Sequence, residues 1–255
     1  MSVSVGVTGA TGRMGRAVLE LVLEREDCSL AFAVNRSTDI ETVAGVEIES
    51  ALEFVPLLEE RNPDVVVDFT GPKSTLEYAS ACAEAGVAFV TGTTGFSAPQ
   101  RSQLEAYGDT IPLLHAPNFA RGVQTLVDII GDAVSNLPGY DLELVETHHN
   151  GKRDAPSGTA NRLLEEIESA GDFTGRTHGR EGDQPREAGE IGVHALRAGS
   201  ITGEHEVVLA GNHEELRLTH RAEDRGVFAA GAVDAAVWLA GAAPGRYDFS
   251  TVISS

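Results

Sequence analysis

Between Val3 and Phe119, short β-branched runs alternate with stretches of helical length, and this alternation restricts the chain more than any other feature. Val3–Thr8, Leu30–Val34, Asp64–Phe69, Val87–Val90 and Ile111–Leu114 read as strands, and Arg13–Arg25, Ser74–Ala85 and Pro99–Tyr107 as helices. Strands separated by helices of this length form right-handed βαβ units and hence a parallel sheet. Such sheets bind ligands outside the carboxyl ends of their strands. Four segments fall there: Gly9–Gly15, Asn35-Arg36, Gly92–Phe96 and Ala116–Phe119.

After Phe119 the pattern changes. A helix at Gln124–Val134 and a strand at Asp141–Glu146 lead into a polar loop, His148–Gly158, and a helix at Ala160–Ala170. Residues 171–189 show no periodicity and read as a long mobile loop. Ile191–Arg197, Glu206–Ala210 and Glu215–Thr219 read as antiparallel or mixed strands of a second α/β lobe. The apolar helix near Phe228–Ala240 is expected to return to the first lobe.

Composition excludes several classes. The 255 residues carry 39 acidic against 19 basic side chains, a net charge of −20 with no basic face, so nucleic acid is not an expected partner. Of the 19 basic residues 17 are arginine, and an acidic, lysine-poor surface with few aromatics resembles that of a salt-adapted protein. Val227–Ala243 carries Asp234 and is too short to span a membrane. Two cysteines give no disulfide framework and the start lacks a signal-peptide pattern, so a cytoplasmic location is expected.

Gly9-Ala10-Thr11-Gly12-Arg13-Met14-Gly15 follows a strand and opens a helix, the context of a dinucleotide turn. Its glycines allow a tight turn and close approach of a pyrophosphate to the helix N-terminus. At the end of the second strand Asn35 carries no charge to repel a 2′-phosphate and Arg36 can pair with one. That leans the cofactor from NADH towards NADPH; Arg36 as a solvated surface residue is the alternative.

The richest segment runs from Glu146 to Ala160: E-T-H-H-N-G-K-R-D-A-P-S-G-T-A. It gathers adjacent histidines, Lys152 (one of only two lysines) and a Ser-Gly-Thr turn entering a helix. These are proton donors, a cation and an anion hole, suited to a small dicarboxylate that must be protonated. A metal site is not expected, because adjacent histidines diverge on extended chain and no third ligand is nearby. A polar loop capping the next helix through Ser157 would explain the Ser-Gly-Thr turn but not the His-His-x-x-Lys.

With G-A-T-G-R-M-G at 9–15, V-D-F-T at 67–70, G-T-T-G-F at 92–96, A-P-N-F at 116–119, the 146–160 string, E-I-G-V-H-A-L-R-A-G at 190–199 and G-E-H at 203–205, nearly the whole chain resembles the 4-hydroxy-tetrahydrodipicolinate reductase (dihydrodipicolinate reductase) family. The resemblance implies an α/β fold with a Rossmann-type parallel-sheet dinucleotide-binding domain over 1–119 and 227–255. A smaller α/β substrate-binding and tetramerisation domain would cover 120–226. It also implies NADPH- or NADH-dependent reduction in lysine biosynthesis through diaminopimelate, by a homotetramer.

Residue by residue, Gly9, Ala10, Thr11, Gly12, Arg13 and Met14 would hold the pyrophosphate, and Asn35 and Arg36 would meet the adenosine ribose or its phosphate. Gly92, Thr93 and Thr94 would line the nicotinamide ribose, with Ala116, Pro117, Asn118 and Phe119 near the ring. His148 and Lys152 would be catalytic, and His149, Gly158 and Thr159 would bind substrate. Asn35 departs from the acidic residue frequent in the family. With cofactor turns and catalytic loop in different lobes, closure about hinges near Phe119–Gly122 and Arg225–Phe228 is expected. A non-catalytic NADPH-binding sensor on the same fold is the competing reading, but it has no use for His148, His149 and Lys152 together.

Overall fold

The computed structural model describes residues 2–37 and 41–254. The chain divides into two compact units, one formed by Met1–Phe119 with Arg225–Ser255 and the other by Ala120–Asp224.

The first unit runs β1 (Val3–Thr8), α1 (Arg13–Glu24), β2 (Cys28–Asn35), the short pair β3 (Thr42–Val43) and β4 (Val46–Glu47), and β5 (Glu49–Ser50). It continues with α2 (Phe54–Arg61), β6 (Val65–Asp68), α3 (Pro72–Ala85), β7 (Ala88–Thr91), α4 (Ala98–Ala106) and β8 (Pro112–His115). In the second unit follow α5 (Arg121–Asn136), β9 (Asp141–His148), α6 (Gly158–Ala170), β10 (Gly175–His178), β11 (Glu190–Arg197), β12 (Gly203–Gly211) and β13 (Glu214–Ala222). The chain then returns to the first unit as α7 (Gly226–Leu239), β14 (Gly245–Tyr247) and α8 (Phe249–Ile253).

The seven-stranded sheet has the order β14-β8-β7-β6-β1-β2-β5, and every pairing in it is parallel. The order reverses between β1 and β6, and in sheets of this kind ligands bind outside the carboxyl ends of the strands at such a switch point. Both faces are covered, which is why β6 and β7 are buried at every residue. Val65 and Val67 pack with α1 and α7, and Val66 on the other face packs with α2 and α3. Asp234, inside the apolar stretch of α7, pairs with Arg25 at the end of α1 at 2.6 Å. The apolar run is therefore a packed helix with one paired carboxylate, and no helix among the described residues is long and apolar enough to cross a membrane.

The second unit is a mixed five-stranded sheet, β10-β11-β9-β12-β13. Strands β10, β11 and β9 are parallel, while β12 runs antiparallel to both β9 and β13. Leu142, Leu144, Ile191, Val193, Val207 and Leu209 pack from one face onto α5 and α6.

Residues 171–189 are not structureless: β10 adds to the edge of this sheet beside β11. Ion pairs replace apolar periodicity there. Arg176 pairs with Glu168 at 2.7 Å, Arg180 with Glu190, and Arg186 with Glu143 and with Asp141 at 2.8 Å. A second correction concerns β9, which runs two residues past Glu146 and takes His148 out of the loop onto the strand.

Candidate active site

At the end of β1 the chain turns through Gly9 at φ +65°, the left-handed region that favours glycine. A Cβ on Gly15 would lie 2.0 Å from the Gly9 carbonyl oxygen, so this glycine lets α1 press against the turn. Gly12 N–H closes the turn on Gly9 O at 2.9 Å, Ala10 N–H donates to Val34 O at 3.1 Å, and Arg16 Nε holds Thr11 O at 2.9 Å. No side chain caps α1 and no acidic residue sits in its first turn. Its first N–H groups, Arg13 and Met14, therefore suit an anion, and the cradle fits a pyrophosphate.

Asn35 ends β2 with its amide on Ser37 O at 2.8 Å, and Arg36 beside it is exposed. Gly92, Thr93 and Thr94 follow β7. Thr94 is exposed, while Thr93 is buried and tied to four residues. The Thr93 hydroxyl reaches Asp68 at 3.0 Å and Thr75 Oγ1 at 2.9 Å, its N–H donates to Thr91 Oγ1 at 3.1 Å, and its carbonyl meets His115 Nε2 at 2.9 Å. Burial pushes the His115 imidazole below its ordinary value, against the Thr93 carbonyl that favours its charged form. Ala116–Phe119 follow β8. Pro117 is exposed, but the Phe119 ring is core, 5.8 Å from Phe69 and 5.2 Å from Phe249. Phe119 thus offers no ring to a ligand.

In the second unit the two-residue strand period puts Leu142, Leu144, Glu146 and His148 on one face. The first two fill the core, and the last two make its end polar. Glu146 is fully buried. Its carboxylate accepts from His148 Nδ1 at 2.5 Å, from Arg197 through Nη1 (3.0 Å) and Nη2 (2.7 Å), and from Ser157 N–H at 3.1 Å. Register explains the Arg197 contact, since Arg197 on β11 stands opposite His148 on β9. Burial pushes the Glu146 carboxyl up, but Arg197 and His148 outweigh it and hold it below the ordinary range. A buried anion at Nδ1 keeps the proton on that nitrogen and leaves Nε2 as the working atom of His148. Gly203 keeps that edge clear, because a Cβ there would come within 3.1 Å of Nε2. Burial lowers the His148 imidazole overall, opposed by Glu146 and reinforced by Lys152 and Arg197.

The loop after His148 carries the other groups. Lys152 folds back, its N–H on His149 O at 3.1 Å and its Nζ 2.9 Å from Asp154. Ser157 caps α6, accepting from Ala160 N–H at 3.1 Å, and meets His205 Nε2 at 3.0 Å. Gly158 and Thr159 occupy the first two positions of α6, and a Cβ on Gly158 would meet nothing within 4 Å. The helix start is thus uncrowded at Gly158, and its dipole favours a carboxylate. His205 is buried and stacks edge-on with His148 at 5.2 Å, and burial together with the His148 charge pushes it down to about 3.

The structure therefore gathers His148, Glu146, Arg197, Ser157 and His205 at one end of one sheet, beside the loop holding His149 and Lys152. Glu146, Arg197 and His205 are not singled out by the sequence reading. Their signals are the E-x-H spacing, which puts both side chains on one strand face, and lone polar residues at one end of the otherwise apolar core-facing sides of β11 and β12. Among the described residues no group of His, Cys, Asp and Glu has the arrangement of a metal site.

Comparison with known proteins supplies the family. Residues 3–119 match "Dihydrodipicolinate reductase, N-terminus" and residues 122–253 match "Dihydrodipicolinate reductase, C-terminus". The chain belongs to the dihydrodipicolinate reductase family. It is 51% identical over 251 residues to the 4-hydroxy-tetrahydrodipicolinate reductase of Haloarcula marismortui, covering 98% of this chain and 99% of that one. It is 50% identical over 252 residues to that of Natronomonas pharaonis, covering 98% and 100%. Among solved structures it is similar to the dipicolinate-bound dihydrodipicolinate reductase of Paenisporosarcina sp. TG-14, with TM-score 0.79, 25% identity, and coverage of 97% of this chain and 98% of that one. The α/β expectation thus holds in full: a parallel seven-stranded sheet in the first unit and a mixed sheet in the second.

Proposed function

We propose that this chain reduces (2S,4S)-4-hydroxy-2,3,4,5-tetrahydrodipicolinate to tetrahydrodipicolinate with loss of water, in the diaminopimelate route to lysine. Full-length family membership supports the reaction, and the Glu146-held His148 beside an uncrowded helix start carries the assignment to particular residues. The first unit is the dinucleotide-binding domain. Gly9–Met14 hold the pyrophosphate, Arg36 meets the adenosine ribose or a 2′-phosphate, and Gly92–Thr94 with Ala116–Asn118 flank the nicotinamide end. When bound, NADPH or NADH supplies a hydride to C4 of the ring.

The second unit binds the dicarboxylate. The N-terminus of α6 at Gly158 and Thr159 takes one carboxylate, the Lys152 ammonium pairs with charge on the substrate, and His149 contacts the ring. His148 delivers the proton to C5, the enamine carbon left when hydride adds at C4, through Nε2, and Glu146 stabilises the imidazolium before it gives that proton up. Arg197 keeps Glu146 ionised while it does so. The face of the mixed sheet turned away from α5 and α6 joins copies of the chain into a homotetramer, and the enzyme works in the cytoplasm.

The test is oxidation of NADPH or NADH followed at 340 nm, with substrate formed in place from pyruvate and aspartate semialdehyde by the preceding synthase. Oxidation that depends on the synthase supports the reading. Binding of either cofactor without oxidation at any salt concentration overturns it in favour of a sensor.

A further inference from the structure

Asp68, the last residue of β6, is fully buried, and five threonine hydroxyls converge on its carboxylate. Thr8 and Thr70 each reach Oδ1 at 2.7 Å, and Thr75, Thr91 and Thr93 reach Oδ2 at 2.7, 2.8 and 3.0 Å. Among the described residues no lysine, arginine or histidine forms an ion pair with it. The negative charge is met by hydroxyls, a costly arrangement to bury unless every donor stays in place.

Three of these donors, Thr8, Thr91 and Thr93, lie in or directly beside the segments placed around the dinucleotide, and the other two follow β6, where the strand order reverses. Thr8 immediately precedes Gly9. Thr70 precedes α3 and Thr75 lies in its first turn, and the Thr70 methyl lies where a Cβ on Gly9 would come within 2.9 Å of it. Thr91 and Thr93 bracket Gly92, and Thr93 is fixed as well through its N–H and carbonyl. One carboxylate therefore determines how the ends of β1, β6 and β7 stand at the point where strand order reverses.

We propose that Asp68 is a positioning residue for dinucleotide binding: through five threonine hydroxyls it holds the turn after β1, the segment after β6 and the loop after β7 in the arrangement the ligand requires. Two effects oppose each other at this site. A buried anion repels a pyrophosphate, so removing it would tighten binding if Coulomb repulsion dominated. Asp68→Asn, however, turns an amide NH₂ towards hydroxyls that now donate. Thr91 already accepts from the Thr93 N–H, so its own proton loses its partner. Positioning therefore outweighs repulsion.

The inference rests on the reading that these segments bind NAD(P)H, and direct titration of the apo protein separates the two. The assay follows the fluorescence of NADPH, and of NADH, on binding to wild type, Asp68→Asn, Thr93→Val and Thr93→Ser, with a thermal melt of each. Leu104→Ala, a buried core change in the same unit within an apolar cluster that includes none of these groups, serves as the stability control. Loss of hydrogen bonds to a charged group predicts Kd weaker by about 10- to 100-fold in Asp68→Asn and about 10-fold in Thr93→Val. Thr93→Ser restores the affinity, and Leu104→Ala melts lower with Kd unchanged. Unchanged or tighter binding in Asp68→Asn overturns the proposal. So does a Leu104→Ala variant that loses affinity in proportion to its melting temperature, which would reduce Asp68 to a purely structural role. Should Asp68→Asn fail to fold, the Thr93→Val and Thr93→Ser pair decides alone, and equal Kd in both refutes the positioning role. Failure of wild type to bind either nucleotide overturns the dinucleotide reading itself, and is recognised because it appears without any substitution.

Discussion

Glu146→Gln removes one charge and keeps the shape of the side chain. Glu146 accepts four hydrogen bonds, two from Arg197 and one each from His148 and Ser157 N–H. An amide can accept on one side only, and its NH₂ then faces another donor. Breaking a fully buried ion pair from one side costs about 3–5 kcal/mol. Arg197 keeps 18% of its side chain exposed and retains the Asp154 and Leu196 carbonyls, so about 2–3 kcal/mol is expected here. For a chain of this size that lowers the melting temperature by about 4–12 °C.

The catalytic effect is separable from the structural one. His148 loses a charge-assisted bond worth about 1.5–3 kcal/mol, so kcat should fall by roughly 10- to 150-fold, while KM for the dicarboxylate changes little. With the carboxylate gone, burial and the charges of Lys152 and Arg197 act on His148 unopposed and lower it further. A general acid works in its protonated form, so the rate falls as pH rises through its pKa, and in Glu146→Gln this falling limb moves to lower pH. The assay is kcat against pH at saturating cofactor, alongside thermal melts. A lower melting temperature with kcat and pH profile both unmoved would refute the reasoning and leave Glu146 a structural residue.

His148→Gln should lower kcat by about 10²–10⁴-fold with little change in KM, whereas Lys152→Ala should weaken substrate binding by about 10- to 150-fold; steady-state kinetics of the two variants show whether the roles separate this way. His205 is held down to about 3 from an ordinary 6.5, so between these values the unfolded chain binds a proton that the folded chain refuses. Its contribution is thus fully present above pH 6.5 and lost towards pH 3, at about 1.4 kcal/mol per pH unit within that window. Urea titrations from pH 6.5 to 4.5 should show that loss, and His205→Gln should flatten it. With a net charge of −20, stability should rise as KCl screens self-repulsion, and a melting temperature that falls with added salt would contradict the salt-adapted reading.

The parallel sheet was legible because its strands are buried on both faces and read as continuous apolar runs between glycine turns, as Asp64–Phe69 does. The strand β10 was not, because Arg176, Arg180 and Arg186 hold its neighbourhood with carboxylates rather than apolar side chains, and ion pairs leave no period in a sequence. The helix α2 escaped for a different reason: Pro56 stands within its first turn and obscures an otherwise helical run. At the candidate site His148, Lys152 and the Ser157 turn stood out by residue type. Glu146, Arg197 and Asp68 depend on strand register and on strands distant in sequence, so only the folded chain brings their partners together.

The most direct test of the proposed chemistry follows two isotopes in one product. NADPH carrying deuterium at the transferable C4 position is supplied with substrate in ordinary water, and unlabelled NADPH with substrate in heavy water. The account predicts cofactor deuterium at C4 of tetrahydrodipicolinate in the first experiment, solvent deuterium at C5 in the second, and slow formation of both products by His148→Gln. Product without cofactor label, or His148→Gln that takes up solvent label at the wild-type rate, would contradict it.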